Sequence, residues 1–418
     1  MILIIKELKH IATYIAFLKG FLRFATLIFF MALLVCCKVV KGSNAVVAPW
    51  GEEVGDTITS SNICSIDDII SNGELIVATL SGPDTYYEYH GRGFGTQFLL
   101  CEKYAQSLGV SLRVEVCKDT LEMVDKVKSG AADIVMYFMP ESFSAHEGLV
   151  ACGAYSENNI RWAVAEGNEK LAKSLSDWYN PNLMSDVKRE EKYFLSSQSV
   201  KRHVFAPFLD RLGGVISKYD NLFRRYAPMA RWDWRLLAAQ CYQESCFDPN
   251  ARSWAGACGL MQIMPATADH LGLARADMMN PEKSIEASVR LLSELSSHFR
   301  DIRSVEERRY FVLASYNGGS FHIRDAMALA RKYGGDDQHW REVAPYVLKL
   351  QQREYYTDPI VKYGYMRGSE TVDYVERIRA RYAQYCGCKG AEPAAYDDNS
   401  GGANMTPRRA TKKYKYHI

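Results

Sequence analysis

The fold of this chain is decided by residues 232–265, which read WDWRLLAAQCYQESCFDPNARSWAGACGLMQIMP. Asp233 is a typical N-cap, and the run after it favours a helix that ends near Glu244. Helical spacing puts Leu237, Cys241 and Glu244 on one face, so the carboxylate lies at the end of an apolar stripe. An acid beside an apolar cleft has a raised pKa, because desolvation disfavours its charged form. The stretch therefore predicts a general acid at Glu244, with a plain solvated surface glutamate as the alternative.

A loop of small residues follows this helix. Gly256 and Gly259 would let a ligand approach the main chain closely, and Pro265 marks the end of the loop because proline stops or restarts a helix. Cys246 and Cys258 flank the loop. The sequence leaves two states open for them, a disulfide that pins the loop and a pair of buried thiols.

Four motifs follow one another from residue 244 onward: ES at 244–245, SWAGA at 253–257 with GLMQ at 259–262, ASYNGG at 314–319, and ET at 370–371 with YV at 374–375. In kind and order they resemble the lytic transglycosylase domain of the soluble-lytic-transglycosylase type. The resemblance implies an all-α, goose-lysozyme-like domain over residues 204–386. The family usually has AYNAG where this chain has ASYNGG, a change that removes no polar group from the implied site.

The resemblance also implies a reaction and a set of residues. Glu244 would protonate the glycosidic oxygen between MurNAc and GlcNAc in peptidoglycan glycan strands, and as a carboxylate it would then take the proton of the C6 hydroxyl. The product would be a 1,6-anhydro sugar, with no water consumed and no cofactor needed. The residues that the resemblance implies for substrate binding are Ser253, Met261, Gln262, Tyr316, Asn317, Glu370 and Tyr374.

Two of these positions have a more specific expectation. Tyr374 is expected to hydrogen-bond near Glu244 or the N-acetyl carbonyl. Glu370 is either a cleft carboxylate, which is the preferred interpretation, or a helix-surface residue, and it is not assigned as a nucleophile. Two other functions stay open: a muramidase, in which water replaces the C6 hydroxyl, and a non-catalytic wall-binding sensor.

Residues 63–180 alternate strands and helices, which predicts a parallel α/β sheet. Their order resembles the first lobe of a family 3 solute-binding protein, and the second lobe is missing before a linker at 181–203. One lobe cannot enclose a small ligand, although a muropeptide or a partner surface remains an option. Tyr86, Tyr87, Tyr89 and Arg92 are expected to form a solvated aromatic loop. The predicted fold class is thus α+β multidomain, with a single α/β lobe before an all-α domain.

The composition excludes several classes of function. A net charge of +2 argues against nucleic acid as a partner, and 11 cysteines without a CxxC pair, together with 9 scattered histidines, argue against a metal site. Residues 1–37 resemble a signal peptide or membrane anchor, with lipidation at Cys36 or Cys37 as one option, and residues 38–62 form a linker. We therefore expect a periplasmic, membrane-associated protein, in the outer membrane by preference, with a disordered basic tail at 387–418.

Overall fold

The computed structural model describes residues 46–47, 53–54, 63–156 and 160–387. The predicted signal segment, both lipidation candidates and the tail beyond residue 387 lie outside the described residues. The chain divides into two compact units, residues 1–60 and 61–418. In the first unit, strands β1 (Val46–Val47) and β2 (Glu53–Val54) pair antiparallel.

The second unit begins with the α/β lobe. Its sheet contains β3 (Glu74–Leu80), β6 (Ser111–Cys117), β7 (Ile134–Pro140), β8 (Leu149–Tyr155) and β9 (Ile160–Ala165), in the order β6-β3-β7-β9-β8. A hairpin of β4 (Tyr87–Tyr89) and β5 (Arg92–Phe94) follows β3. The helices of the lobe are α1 (Ile66–Asn72), α2 (Thr96–Leu108), α3 (Thr120–Lys128), α4 (Glu141–His146) and α5 (Glu169–Trp178).

The sheet is mixed rather than wholly parallel, which corrects the sequence prediction. Strand β3 pairs parallel with β6 and β7, but β9 pairs antiparallel with both β7 and β8. Only four residues separate β8 from β9, and so short a connection cannot carry the chain back to the start of a parallel strand. The other part of the prediction, an α/β lobe joined to an all-α domain, is confirmed.

Residues 166–219, all of which the structure describes, hold no second sheet domain. They contain α5, α6 (Pro181–Phe194) and the two-residue strand β10 (Val200–Lys201). The polypeptide therefore leaves the lobe directly for the helical domain.

The helical domain has its first helix at residue 220. Residues 204–219 form turns and one isolated bridge, and Ile216 and Tyr219 among them are buried in the core of this domain. Its elements are α7 (Asp220–Tyr226), α8 (Trp234–Ser245), β11 (Arg252–Ser253), α9 (Pro265–His270), α10 (Pro281–His298), α11 (Val305–Gly318), α12 (Ser320–Lys332), α13 (Trp340–Lys349), α14 (Arg353–Tyr356) and α15 (Gly368–Tyr385). Leu237, Phe311 and Val375, from three of these helices, are fully buried in one core. Within the described residues, none of the helices combines the length and apolarity that a membrane span requires.

The lobe packs against the helical domain through the residues expected to be a solvated loop, so that expectation is wrong. Tyr87 is 4% exposed and meets the Tyr365 ring edge-on at 5.0 Å. Tyr86, Tyr89 and Arg92 are half-buried. The contact buries aromatic surface that a one-lobed domain would otherwise leave in water.

The same contact covers the carboxyl end of β3. Ser81 follows β3, and its Oγ accepts a hydrogen bond of 2.8 Å from the Tyr365 main-chain nitrogen. In α/β sheets, ligands bind at this end of the strands where the strand order reverses, as it does beside β3 here. The chain's own segment after α14 thus occupies the place that a small ligand of the lobe would take.

Candidate active site

Helix α8 positions Glu244 one residue before its end. The helix starts at Asp233, whose carboxylate accepts the Arg235 main-chain N–H at 2.8 Å, as predicted. Cys246 ends it in a left-handed conformation (φ 52°), and its N–H returns to the Tyr242 carbonyl at 2.9 Å. Because Leu237 and Cys241 are fully buried, the helix face that carries Glu244 is fixed against the core.

Helix α15 brings Tyr374 to this carboxyl group. The Tyr374 hydroxyl donates a hydrogen bond of 2.5 Å to Glu244 Oε1, so the expected contact is present. Gln240, one turn before Glu244, donates from Nε2 to the same hydroxyl at 3.3 Å. Since Tyr374 is 5% exposed and Gln240 is fully buried, this chain of hydrogen bonds has a fixed geometry.

The environment of Glu244 favours its protonated form. The side chain keeps some accessible surface, but protein atoms surround the carboxyl, and this desolvation raises the pKa of Glu244 to about 7. The hydrogen bond from Tyr374 and the charges of His90 and Arg202 lower the pKa but do not cancel the effect of burial. A carboxylic acid of this kind can both give and take a proton near neutral pH.

The loop between α8 and α9 is held by its own polar side chains. Ser253 Oγ accepts the Ala257 N–H at 2.9 Å. Gln262 has a left-handed main chain (φ 47°), and its Nε2 donates to the carbonyls of Ala251 at 3.1 Å and Gly259 at 2.9 Å. Ser253 and Gln262 are both half-buried, so each supports the loop and also presents surface beside it.

Met261 and Tyr316 are linked at the base of this loop. The Met261 side chain is fully buried and packs in the helical core. Its carbonyl accepts a 2.8 Å hydrogen bond from the Tyr316 hydroxyl. Asn317, the next residue of α11, accepts at Oδ1 from Thr371 Oγ1 at 2.7 Å. These bonds tie the loop to α11, and α11 to α15.

Glu370 contacts the lobe. The Tyr89 hydroxyl lies 2.7 Å from both of its carboxylate oxygens, and His90 Nε2 lies 3.4 Å from Oε1. Burial alone would raise the pKa of Glu370, but the bonds from His90 and Tyr89 and the charges of His90 and Arg367 outweigh it and lower the pKa. Glu370 is thus ionised at the pH at which Glu244 still holds its proton.

The acid nearest to Glu244 in the sequence, Asp248, bonds to the main chain instead. Asp248 accepts from the main-chain nitrogens of His203 at 2.7 Å and Asn250 at 2.9 Å, which is a structural role. Cys246 and Cys258 are free thiols. Across the described ranges there is no cluster of three or more histidine, cysteine or acidic residues suited to a metal ion.

Sequence reasoning missed several residues of this site: Tyr89, His90, Arg202, Gln240 and Thr371. Arg202 donates from Nη1 to the Glu244 carbonyl at 2.9 Å, and the strand before it, β10, pairs antiparallel with β11 in the loop. Gln240 had a readable signal, because it lies one helical turn before Glu244 on the same side of α8. The lobe and linker residues come from distant parts of the chain, and no local pattern indicates their partners.

Comparison with known proteins agrees with this geometry. Residues 221–339 match the family model described as "Transglycosylase SLT domain". Proteins named membrane-bound lytic murein transglycosylase F are similar: that of Serratia proteamaculans is 34% identical over 69% of this chain and 61% of its own length. That of Desulfosudis oleivorans is 33% identical over 54% of this chain and 49% of its own. The chain spans about half the length of the first such relatives.

A longer alignment reaches into the lobe. The relative from Aeromonas hydrophila is 25% identical over 417 residues, which cover 76% of this chain and 83% of that protein. Among solved structures, the Escherichia coli 70 kDa soluble lytic transglycosylase SLT70 is 26% identical over 41% of this chain and 25% of its own, with a TM-score of 0.30. Domain 1 from TmArgBP is 17% identical over 30% of this chain and 99% of its own, with a TM-score of 0.25.

These matches and the motif order lead to one assignment. This chain carries a transglycosylase SLT domain at residues 221–339, and over most of its length it resembles the membrane-bound lytic murein transglycosylases F.

Proposed function

We propose that this protein is a lytic transglycosylase that cleaves the β-1,4 bond between MurNAc and GlcNAc of peptidoglycan without water and leaves 1,6-anhydro-MurNAc ends. One observation carries the proposal: Glu244, within the residues that match the SLT domain, has a pKa of about 7 and accepts a hydrogen bond from the buried Tyr374 on α15. Glycosidases that use two carboxylates keep both free to face the scissile bond. Here the second site acid, Glu370, is bonded to the lobe instead.

The proposed reaction has two steps, and the arrangement around Glu244 supports both. Protonated Glu244 gives its proton to the glycosidic oxygen, and the bond from that oxygen to the anomeric carbon breaks while the substrate's N-acetyl carbonyl supports the carbon. Glu244 is now a carboxylate that accepts the Tyr374 hydrogen bond. It takes the proton of the C6 hydroxyl while the C6 oxygen forms the bond to the anomeric carbon. The attack is intramolecular, so a correctly held sugar ring presents its nucleophile at high effective concentration.

The other residues would hold the sugar for this attack. We assign Ser253, Gln262 and Asn317 to hydrogen bonds with the glycan because each is half-buried and keeps a polar group beside the loop. Tyr316 and Met261 support the base of the loop through their mutual hydrogen bond. Ser253 and Gln262 also bond to main-chain groups of their own loop, which favours a site already formed before substrate arrives.

The partners follow from the same proposal. The substrate is the glycan strand of peptidoglycan. Residues 1–37 would tether the protein to a membrane on the periplasmic side. If the tether is a lipid in the outer membrane, Cys36 or Cys37 would carry it. A muropeptide bound by the lobe would need a surface other than the carboxyl end of β3, which Tyr365 covers.

Digestion of purified sacculi in water enriched in oxygen-18, followed by mass spectrometry of the muropeptides, tests the function. A lytic transglycosylase releases anhydro ends with no label. A muramidase releases reducing ends, each carrying one labelled oxygen. A wall-binding sensor releases neither product, and either of these last two results would reject the proposal.

The pH dependence of the reaction follows from the acid role of Glu244. The first step needs the protonated form, and a pKa of about 7 means that this form is lost as the pH rises through that value. We expect kcat/KM to fall by about tenfold for each pH unit well above 7. Initial rates on sacculi between pH 5 and 9 measure this limb, and a rate that still rises at pH 9 would contradict the acid role.

Tyr374→Phe removes the only hydrogen bond shown to reach the Glu244 carboxyl among the described residues. A bond to a charged group contributes about 1.5–3 kcal/mol, so the carboxylate formed in the first step should be less stable and kcat should fall by about tenfold to a hundredfold. The fall of kcat/KM at alkaline pH should also begin at a higher pH than in the unaltered protein. Tyr382→Phe, on the same helix and bonded to Asp233 at 3.3 Å, is the matched control and should leave both quantities unchanged.

A further inference from the structure

Gln240 is a buried polar residue that neither step of the proposed reaction uses. It lies one helical turn before Glu244 on α8, and its side chain is fully buried. Its Nε2 is 3.3 Å from the Tyr374 hydroxyl oxygen, and that oxygen is 2.5 Å from Glu244 Oε1. Gln240 is thus joined to the proposed acid through one tyrosine, by two contacts of hydrogen-bond length.

The tyrosine hydroxyl fixes the direction of both hydrogen bonds. It has one proton, and because that proton is donated to Glu244, only its lone pairs remain for Gln240. The Gln240 amide must then present its NH2 group, which donates to the Tyr374 oxygen. A hydroxyl that accepts one hydrogen bond donates a stronger one, because successive bonds in a buried chain polarise each other. The amide therefore both directs and strengthens the bond to Glu244.

The carbonyl end of the same amide has no such role. Gln240 Oε1 is buried, and among the described residues no donor lies within hydrogen-bonding distance of it. A buried acceptor without a partner lowers the stability of the fold. The neighbouring residues Ala238, Ala239 and Cys241 are all apolar and fully buried, so an apolar side chain would suit this part of the helix. The bond to Tyr374, and not stability, explains a glutamine at this position.

We propose that Gln240 is a positioning residue of the cleavage reaction, which directs the Tyr374 hydroxyl proton at the Glu244 carboxyl. The inference rests on the proposed function, because the bond from Tyr374 stabilises the carboxylate that forms when Glu244 protonates the glycosidic oxygen. Without the amide donor the hydroxyl can rotate about its C–O bond. The carboxylate then loses part of its stabilisation as it forms.

Gln240→Met removes the donor and the unpartnered carbonyl but keeps an unbranched side chain of similar length. We expect kcat on sacculi to fall about threefold to tenfold, with KM unchanged because Gln240 is buried. The melting temperature should stay the same or rise. Gln97→Met is the matched control, because Gln97 is also buried and accepts a 2.9 Å hydrogen bond from Trp162 Nε1 in the lobe. It should leave kcat unchanged.

A double-mutant cycle on the full chain tests whether Gln240 acts through Tyr374. If it does, Gln240→Met should not lower kcat further in a Tyr374→Phe protein, because phenylalanine has no hydroxyl to direct. The rate is counted as all glycan bonds cleaved, so the cycle holds for anhydro and reducing ends alike. Equal fold losses in the two backgrounds would overturn the inference and show a purely structural role.

The pKa of Glu244 gives the same cycle without turnover. Carbon-13 NMR of labelled glutamate carboxyls follows it, with the Glu244 signal assigned by its loss in Glu244→Gln. We expect Gln240→Met to raise this pKa by roughly half a pH unit when Tyr374 is present and not at all in Tyr374→Phe. The charges of His90 and Arg202 also act on the carboxyl, but they are the same in all four proteins and cancel.

A Glu244 pKa that Gln240→Met leaves unchanged would likewise overturn the inference, whatever the activity. Failure of the proposed function is a different result, since it would show as the absence of anhydro products from the unaltered protein.

Discussion

Replacing Glu244 by glutamine should lower kcat on peptidoglycan by at least about a thousandfold, the largest effect expected from any single change in this protein. Glutamine has nearly the shape of glutamate and can still accept a hydrogen bond from Tyr374, but it can neither give up nor take a proton. Both steps of the proposed reaction use the same carboxyl, so one substitution removes the acid and the base together. The amount of anhydro product per enzyme per minute, measured on sacculi, gives the effect.

The same substitution should stabilise the fold at alkaline pH. The pKa of Glu244 is raised from 4.5 to about 7 in the folded protein, so the folded state binds this proton more tightly than the unfolded chain. The stability that this proton adds to the folded state is fully present below pH 4.5 and is lost as the pH rises through 7. Above that pH the buried ionised carboxylate lowers the free energy of unfolding by up to about 3 kcal/mol relative to acid pH. From pH 5 to pH 8.5 the stability of Glu244→Gln relative to the unaltered protein should therefore increase, by at least about 1 kcal/mol.

Urea unfolding at the two pH values measures this change in the free energy of unfolding. Glu294→Gln removes a surface acid that pairs only with His270, and it should leave turnover intact and shift stability little. Turnover by Glu244→Gln close to that of the unaltered protein would refute the acid role and support a non-catalytic function. Lost turnover without the alkaline stabilisation would instead show that the carboxyl is well solvated.

Gly259→Ala should destabilise the protein by about 3 kcal/mol or more, the second large effect. Gly259 lies in the loop between α8 and α9 with φ of 77°, a conformation that costs other residues about 1 kcal/mol. An added Cβ would also lie 2.2 Å from the Met278 carbonyl oxygen, which belongs to the main chain and cannot rotate away. Either the loop or the turn before α10 must move, and the carbonyl of Gly259 that holds Gln262 moves with it.

Gly272→Ala separates the two contributions. Gly272 has a similar φ of 67°, but no atom lies within 4 Å of its added Cβ, so this variant reports the backbone cost alone. We expect a loss of about 1 kcal/mol for Gly272→Ala. Thermal unfolding of both proteins gives the comparison, and equal losses would show that the close approach of Gly259 to Met278 is not a real constraint.

The local parts of the site could be predicted from the sequence. Asp233 as N-cap, the buried stripe through Leu237 and Cys241, and the helix restart at Pro265 all follow from signals within a few residues of each other, and the structure contains each of them. The strands Ser111–Cys117 and Leu149–Tyr155 are likewise indicated by local patterns, an alternation of apolar and polar residues in the first and an apolar run in the second. Such features depend on the spacing of neighbours, which the sequence displays directly.

The contacts between the lobe and the helical domain could not be predicted in this way. Tyr89 and Glu370 are 281 positions apart, and a tyrosine-rich turn reads as a solvated loop until its partner surface is known. The antiparallel β9 was missed because strand direction is set by connection length, not by the residues of the strand. The sequence around Met261 does not show whether its side chain lines a cleft or packs in the core. That depends on the position of α11, whose Tyr316 bonds to the Met261 carbonyl.

The pairing of β10 with β11 limits how this protein can be divided. A fragment that starts at residue 204, where the sequence suggests a domain border, would lack Val200 and Lys201, the neighbours of Ser253 and Arg252. It would also lack Arg202, which donates a hydrogen bond to the Glu244 carbonyl in the last turn of α8. Recombinant versions of the helical domain should therefore begin no later than residue 200, and any motion of this connecting strand would be transmitted to Arg252 and Ser253, with which it pairs.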